Sequence, residues 1–546
     1  MATKDPGRRA FIQRLAASSV ALSGGAAAEP LLYSGRATEA TTPPKAISRH
    51  AVNVLDFGAV GDGRTLCTAS LQAAINACTD AGGGKVFVPP GKFLTGPIFL
   101  KSNLEFEIQA GATLLGSTNL ADYPTIAGWW EGLERKIYAS LITGIGLENV
   151  AITGRGILEG QGAVWLERWG KTEELRKKLG IVGREPENPP GSPLPWPRPR
   201  MINLYRSHNL LISGLTIQNS PSWTVHPVLC EDVRIEGITI LNPRDSWNTD
   251  GIDPESCRNV RISNCYISTG DDCIMIKSGY KQIPGKPFPP SGNIVVTNCV
   301  FNDGGCGVGI GSETAGGVRN VAISNCACEG TSCGLYFRTA RGRGNVMENV
   351  SAVNIVMRNI RETGVVFSML YEDQDRDSPH PVDERTPTFR NFHCSDILVD
   401  GAQRAVVVEG LPESPIQALR LDNIFVKAAA KGVSCSHAHG FSLSNAVVNA
   451  ESGSPIECKN VRELELVRVR TSKPAPNDPG IDLEEVQEAL VQSCAAAVGT
   501  SALVRLKGGG NRDITLALNR VSEPTKEAVF TDGASEHSVV RRTSWS

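Results

Sequence analysis

The sequence predicts an all-β solenoid, a parallel β-helix closed at its start by a short capping helix. Short β-branched strings recur: Asn149-Val150-Ala151-Ile152, Asn209-Leu210-Leu211-Ile212, Asp232-Val233-Arg234-Ile235, Asn259-Val260-Arg261-Ile262, Asn293-Ile294-Val295-Val296 and Asn320-Val321-Ala322-Ile323. From the second onward their starts lie 23, 27, 34 and 27 residues apart. That interval suits one coil per repeat and falls short of the roughly 40–45 residues of a propeller blade. The 56 Gly and 33 Pro supply turns, and few long helical patterns compete with them. A solenoid grows by adding coils, so 546 residues do not require several domains.

The chain opens with Arg8-Arg9-Ala10-Phe11-Ile12, a mildly apolar stretch from Leu15 to Leu22, and Ala26-Ala27-Ala28. This pattern predicts a twin-arginine signal peptide over 1–28, cut at the small residues, and hence a periplasmic or secreted protein. A polar linker over 29–48 follows. The β-helix domain is expected over 49–500, and 501–546 reads as a β-rich cap or tail. Within the helix domain comes first the block Asp56 to Gly63. Next is an amphipathic helix with Thr68 as N-cap, Leu71, Ala74, Ile75 and Cys78 on one face, and Gly82 to Gly84 as its stop. Such a helix can plug the open apolar end of a solenoid. Val86-Phe87-Val88 and Ile98-Phe99-Leu100 read as the first strands. Insertions over 121–148 and 163–200 carry Trp129, Trp130, Trp165, Trp169 and Trp196. These tryptophans either stack on a ligand or pack the loops onto the coils. Later strands continue less regularly through Ala405-Val406-Val407-Val408 and Leu464-Glu465-Leu466.

Composition narrows the partners. The net charge is −2, with no basic or acidic block, so no nucleic-acid partner is expected. No segment after the leader approaches the ~18 unbroken apolar residues of a membrane span. The 15 cysteines are odd in number, so they cannot all pair within one chain. Asn264-Cys265, Asn298-Cys299 and Asn325-Cys326 occupy matching repeat positions. They read as small buried residues in interior stacks, each beside an Asn that bonds its neighbour along the coil.

Asn248-Thr249-Asp250 and Gly270-Asp271-Asp272 are the most informative local feature. Asp271 and Asp272 follow Asp250 by 21 and 22 residues, close to one coil, and stacked coils lie roughly 4.8 Å apart. Carboxylates held that close cannot ionise independently, so one should keep its proton while another stays charged. That is the requirement for acid/base cleavage of a glycosidic bond. The same residues would also suit Gly-rich turns or a hard cation such as calcium.

Around these clusters the sequence resembles glycoside hydrolase family 28, the polygalacturonase family of pectin-cleaving right-handed β-helices. Asn248-Thr249-Asp250-Gly251-Ile252-Asp253, Gly270-Asp271-Asp272-Cys273-Ile274, Ile276-Lys277-Ser278-Gly279 and Gly311-Ser312-Glu313-Thr314 are similar to its signature blocks and stand in the expected order. The Asp56 to Gly63 block and, more weakly, Thr386 to Arg390 and Glu409 to Glu413 extend the likeness over most of the chain. The resemblance implies that Asp271 is the general acid and that Asp250 and Asp272 activate the attacking water, with inversion. It implies substrate contacts from Asn248, Lys277, Tyr336 and Arg338, with Arg341 and Arg343 adding charge. It implies no metal and no cofactor, a pectin-type polysaccharide or oligosaccharide as the partner, and a monomer.

Three departures stand out. The window Asp303-Gly304-Gly305-Cys306-Gly307 lacks the Gly-His-Gly histidine common in the family. The usual Arg-Ile-Lys is Tyr336-Phe337-Arg338. The tyrosine of the following coil is expected to be absent, with Ala352 near its place. Exact substrate identity is therefore less constrained than the reaction. The leading expectation is an exported O-glycoside hydrolase cutting α-linked galacturonate chains. The alternatives are an α-L-rhamnosidase or rhamnogalacturonan hydrolase, a calcium-dependent pectate lyase, and a non-catalytic sugar-binding β-helix.

Overall fold

A computed structural model describes residues 51–543 apart from 131, 169–197, 284, 372–374 and 472–476. The expected signal peptide and linker, with Trp169 and Trp196, lie outside the described residues. The chain winds as a parallel β-helix in which each coil contributes strands to three faces. One coil shows the order: Arg258–Ser263 on the second face, Tyr266–Thr269 on the third and Ile274–Ile276 on the first. Each pairs in parallel with its counterpart one coil on: Ser291–Thr297, Val300–Asp303 and Cys306–Ile310.

The register explains the repeat. On the second face Val150, Leu210, Val233, Val260, Ile294, Val321 and Val350 stack in one column, every one buried. A parallel column brings like side chains together, and each buried aliphatic contributes about 1.5–3 kcal/mol. Ala352 belongs to the neighbouring interior column, between Ile323 and Cys394, so it faces the core.

The recurrent Asn that opens each string has a backbone reason. Asn103, Asn149, Asn209, Asn259, Asn293, Asn320, Asn349 and Asn391 turn the chain with φ between +54° and +60°, a region Asn enters more readily than most residues. Their amides also form a ladder: Asn293 donates to Asn259, Asn320 to Asn293 and Asn349 to Asn320, each at 3.1 Å. Asn320→Ala should therefore lower stability by about 2 kcal/mol, combining left-handed strain with two lost bonds. Asn320→Gly should lose less, because glycine relieves the strain. Urea melts of the two variants check this, and equal losses would remove the backbone from the explanation.

The capping helix spans Thr68–Asp80 and buries Leu71, Ala74, Ile75 and Cys78. Thr68 is its first residue instead of its cap, because its Oγ1 accepts the Gly96 N–H at 2.7 Å. At the other end, Ala502–Lys507, Arg512–Ala517, Lys526–Thr531 and Val539–Arg542 pair in parallel with earlier strands. The segment after 500 thus continues the same stack. All 15 cysteines are buried and free. Cys265, Cys299 and Cys326 donate to the carbonyls of Ser263, Thr297 and Ser324, and Asn298 beside Cys299 bonds Asn264 at 3.5 Å.

Candidate active site

The aspartates sit on loops that lead from the third face into the first. The loop before Asp250 is stiffened from below. Asn242 donates to the Thr249 carbonyl at 3.0 Å and to Thr224 Oγ1 at 2.9 Å, while Ser246 and Thr249 share hydroxyl bonds. The next loop lies directly on it. The Gly251 N–H donates to the Asp272 carbonyl at 2.9 Å, and any Cβ on Gly270 would collide with the Ser246 carbonyl, which is why Gly precedes the two aspartates. A Cβ on Gly305 would come within 2.6 Å of Asp272 Oδ1, so the following coil also needs glycine here.

The outcome is convergence. Carboxylate oxygens of Asp250, Asp271 and Asp272 lie within 4.8 Å of one another, close enough to hold a shared proton, a water or a hard cation. Asp271 accepts the Asn248 backbone N–H at 3.2 Å and the Asp272 N–H at 3.0 Å. Asp272 accepts Arg338 Nη2 at 2.6 Å. Asp250 Oδ1 is buried without a hydrogen-bond partner among the described residues.

Burial dominates the electrostatics. Burial, then Asp253 and Asp271, push the Asp250 pKa well above the usual carboxylate range. Burial and the Asp272 charge push Asp271 upward as well. Beneath them Lys277 stays an ammonium: burial opposes its charge, but Glu313 at 3.2 Å, Asp253 at 4.0 Å and Asp250 outweigh it. Burial also opposes the Glu313 charge, yet Lys277 and Arg343 bring its pKa down to about 2. The carboxyls of Asp250, Asp253, Asp271, Asp272 and Glu313 outnumber the cations Lys277, Arg338 and Arg343. Retaining a proton is the cheapest way to relieve that excess.

The candidate substrate contacts divide. Asn248, at φ +51°, joins the cluster through its N–H, and its side-chain oxygen accepts Arg198 Nη2 at 2.8 Å. Arg338 lies against Asp272 between the rings of Tyr336 and Tyr371, 4.6 and 4.8 Å from their centres. Lys277 is buried, with its ammonium 4.7 Å from the Trp223 ring centre. Arg341 is forked onto Glu413 at 2.6 and 3.0 Å, and Arg343 stacks on Tyr280.

Tyr371 corrects the expectation of an absent tyrosine. It follows strand Thr363–Ser368, and its N–H is held by the Thr339 carbonyl at 3.0 Å. At the missing histidine's place, Cys306 is buried in an apolar cluster with Met275, Cys333 and Val366, against Tyr336. His226 does not substitute for it. It is a buried residue of the first-face strand Val225–Val228, packs against Trp223, accepts from Arg200 and donates to Glu255 at 3.1 Å, while Trp129 donates to the same carboxylate at 2.6 Å. Burial, then Arg200 and Lys277, keep this imidazole neutral. The described tryptophans of the two insertions are packing residues: Trp130 stacks on Trp223 at 4.7 Å and Trp165 meets Tyr123 edge-on at 5.2 Å.

Comparison with known proteins identifies the family. Residues 196–449 match Glycosyl hydrolases family 28, and residues 51–126 match Rhamnogalacturonase A/epimerase, pectate lyase-like. The chain is 32% identical over 392 residues to a probable polygalacturonase of Vitis vinifera, covering 70% of this chain and 75% of that one. It is 27% identical over 409 residues to an exo-poly-alpha-D-galacturonosidase of Dickeya chrysanthemi, covering 68% and 65%. Among solved structures, an exopolygalacturonase from Thermotoga maritima superposes with a TM-score of 0.64 at 32% identity, over 73% of this chain and 92% of that one. With a parallel β-helix, a family match that spans the aspartate cluster and a relative 32% identical over most of its length, the chain is a member of glycosyl hydrolase family 28 and an O-glycoside hydrolase.

Proposed function

We propose that the protein is an exported, monomeric polygalacturonase-like enzyme that hydrolyses α-linked galacturonan with inversion. Asp271 gives its proton to the glycosidic oxygen as the bond breaks. Asp250 and Asp272 hold the water that attacks the anomeric carbon from the opposite side, and its proton passes to the Asp272 carboxylate beside Arg338. The observation that carries the reading is the convergence of three carboxylates within 4.8 Å, with Asp250 Oδ1 still lacking a donor. Burial keeps Asp271 protonated at pH values where an ordinary aspartate is ionised, as a general acid requires. Relatives named for galacturonan support the substrate class.

The stereochemistry gives the sharpest test, because inverting pairs usually stand ~6.5–9.5 Å apart between carboxyl groups. Fresh product from polygalacturonate, followed by proton NMR with and without chelator, should appear as the β anomer at the same rate in both. An α anomer would mean a retaining route through a covalent intermediate. Unsaturated ends made only with calcium would mean a lyase.

A further inference from the structure

Along the first face, Ile142, Ile202, Leu204, Val225, Ile252 and Ile276 point into the core. Side chains alternate along a strand, so Thr143, Asn203, His226, Asp253, Glu255 and Lys277 point outward, onto the floor that a bound polysaccharide would cross. All six are nevertheless 3% exposed or less. Solvent returns only at the aspartates and on the later coils, where Asp271, Tyr336, Arg338 and Tyr371 are partly exposed.

Over His226, Glu255 and Lys277 the cover leads back to one hairpin, Thr125–Trp130 paired antiparallel with Leu133–Tyr138. Trp130 stacks on Trp223, which stands edge-on to His226 at 4.8 Å and lies against the Lys277 ammonium. Trp129 donates to Glu255 and meets Phe288 edge-on at 6.1 Å. Leu133 packs on the cluster of Trp129, Val228, Phe288 and Ala315. At the turn, Gly132 lies so close to the Gly279–Tyr280 backbone that no Cβ fits. Glu134 accepts from Tyr205 at 3.2 Å and from Arg206 at 3.1 Å. A two-stranded hairpin is marginal by itself, but two buried indoles fasten this one to the face. The floor is thus walled off on the earlier-coil side of the aspartates and accessible on the other.

We propose that this hairpin is a stop for the substrate chain, so that the enzyme cuts from a chain end and releases a short product of one fixed length. The chain enters past Arg338 and Tyr371, and its terminal portion fills the space between the aspartates and the wall. The proposal rests on the hydrolytic reading above, and its test separates the two. Purified enzyme is given polygalacturonate and, separately, rhamnogalacturonan. Early products are sized while viscosity is followed. From whichever polymer is cut, one short product should appear at the outset, and viscosity should fall slowly for the number of bonds broken. A ladder of oligomers with rapid loss of viscosity would overturn the stop. Cutting of rhamnogalacturonan alone, still with a single product, would overturn the galacturonan reading and leave the stop standing. In a second enzyme, residues 126–137 are replaced by Asn-Gly, a turn suited to closing the Thr125–Tyr138 pair. The shortened enzyme should make the ladder that the full chain does not. A single product from it, with the fold verified by circular dichroism, would place the stop elsewhere and overturn the hairpin's role. The product pattern of the unaltered enzyme decides the chain-end reading independently of that variant.

Discussion

Asp271→Asn should lower hydrolysis by about 10²–10⁴-fold and at the same time raise the melting temperature at neutral pH. The first effect is loss of the proton donor. The second follows from the surroundings, where burial and Asp272 raise the Asp271 pKa above its ordinary 3.8. The folded protein therefore holds this proton over a range where the unfolded chain has released it. The stability contributed is fully present below pH 3.8 and is lost as pH rises through the folded value. An amide has no proton to lose, so the gain in melting temperature should be clear at pH 7 and vanish below pH 4 (roughly the ordinary aspartate pKa). Paired rate and melting measurements across pH check both halves. More than about a tenth of the wild-type rate would place the general acid elsewhere.

Arg338→Ala should do two kinds of damage. It leaves Asp272, 3% exposed at its side chain, without its 2.6 Å partner, and breaking a buried pair costs about 3–5 kcal/mol. On a uronate substrate it should also weaken productive binding by roughly 2–5 kcal/mol. Arg338→Lys should recover only part, because a compact ammonium cannot reach Asp272, Tyr336 and Tyr371 together as the planar guanidinium does. Comparing kcat/KM on a galacturonide and on a neutral α-glycoside separates the effects. A larger loss on the charged substrate assigns a substrate contact, and equal losses leave Arg338 as the partner of Asp272 alone.

The aspartate cluster is legible in the sequence because coil length and residue spacing coincide. Asp271 and Asp272 follow Asp250 by one turn, and stacking does the rest. The capping helix is legible from its apolar face, although Thr68 binds Gly96 instead of capping. What stays hidden depends on loops and on depth. Tyr371 comes after Ser368 leaves the strand, where no repeat marks its position, whereas Ala352 sits in a strand column that faces inward. Lys277 lies in the expected place, but Glu313 and Asp253 can be seen to claim it only once the coils are stacked. Among the tryptophans, sequence offers insertions as the natural place for sugar contact. Trp129, Trp130 and Trp165 are instead consumed by packing.

The interior thiols have a bearing on durability. Fifteen buried, unpaired cysteines are shielded from oxidants only while the coils stay closed. Unfolding in air would release them together, and bridges between distant coils would block the return to register. Unfolding in air then becomes a one-way event. The working lifetime of the enzyme is set by how slowly the coils open, more than by how strongly the folded state is favoured at equilibrium.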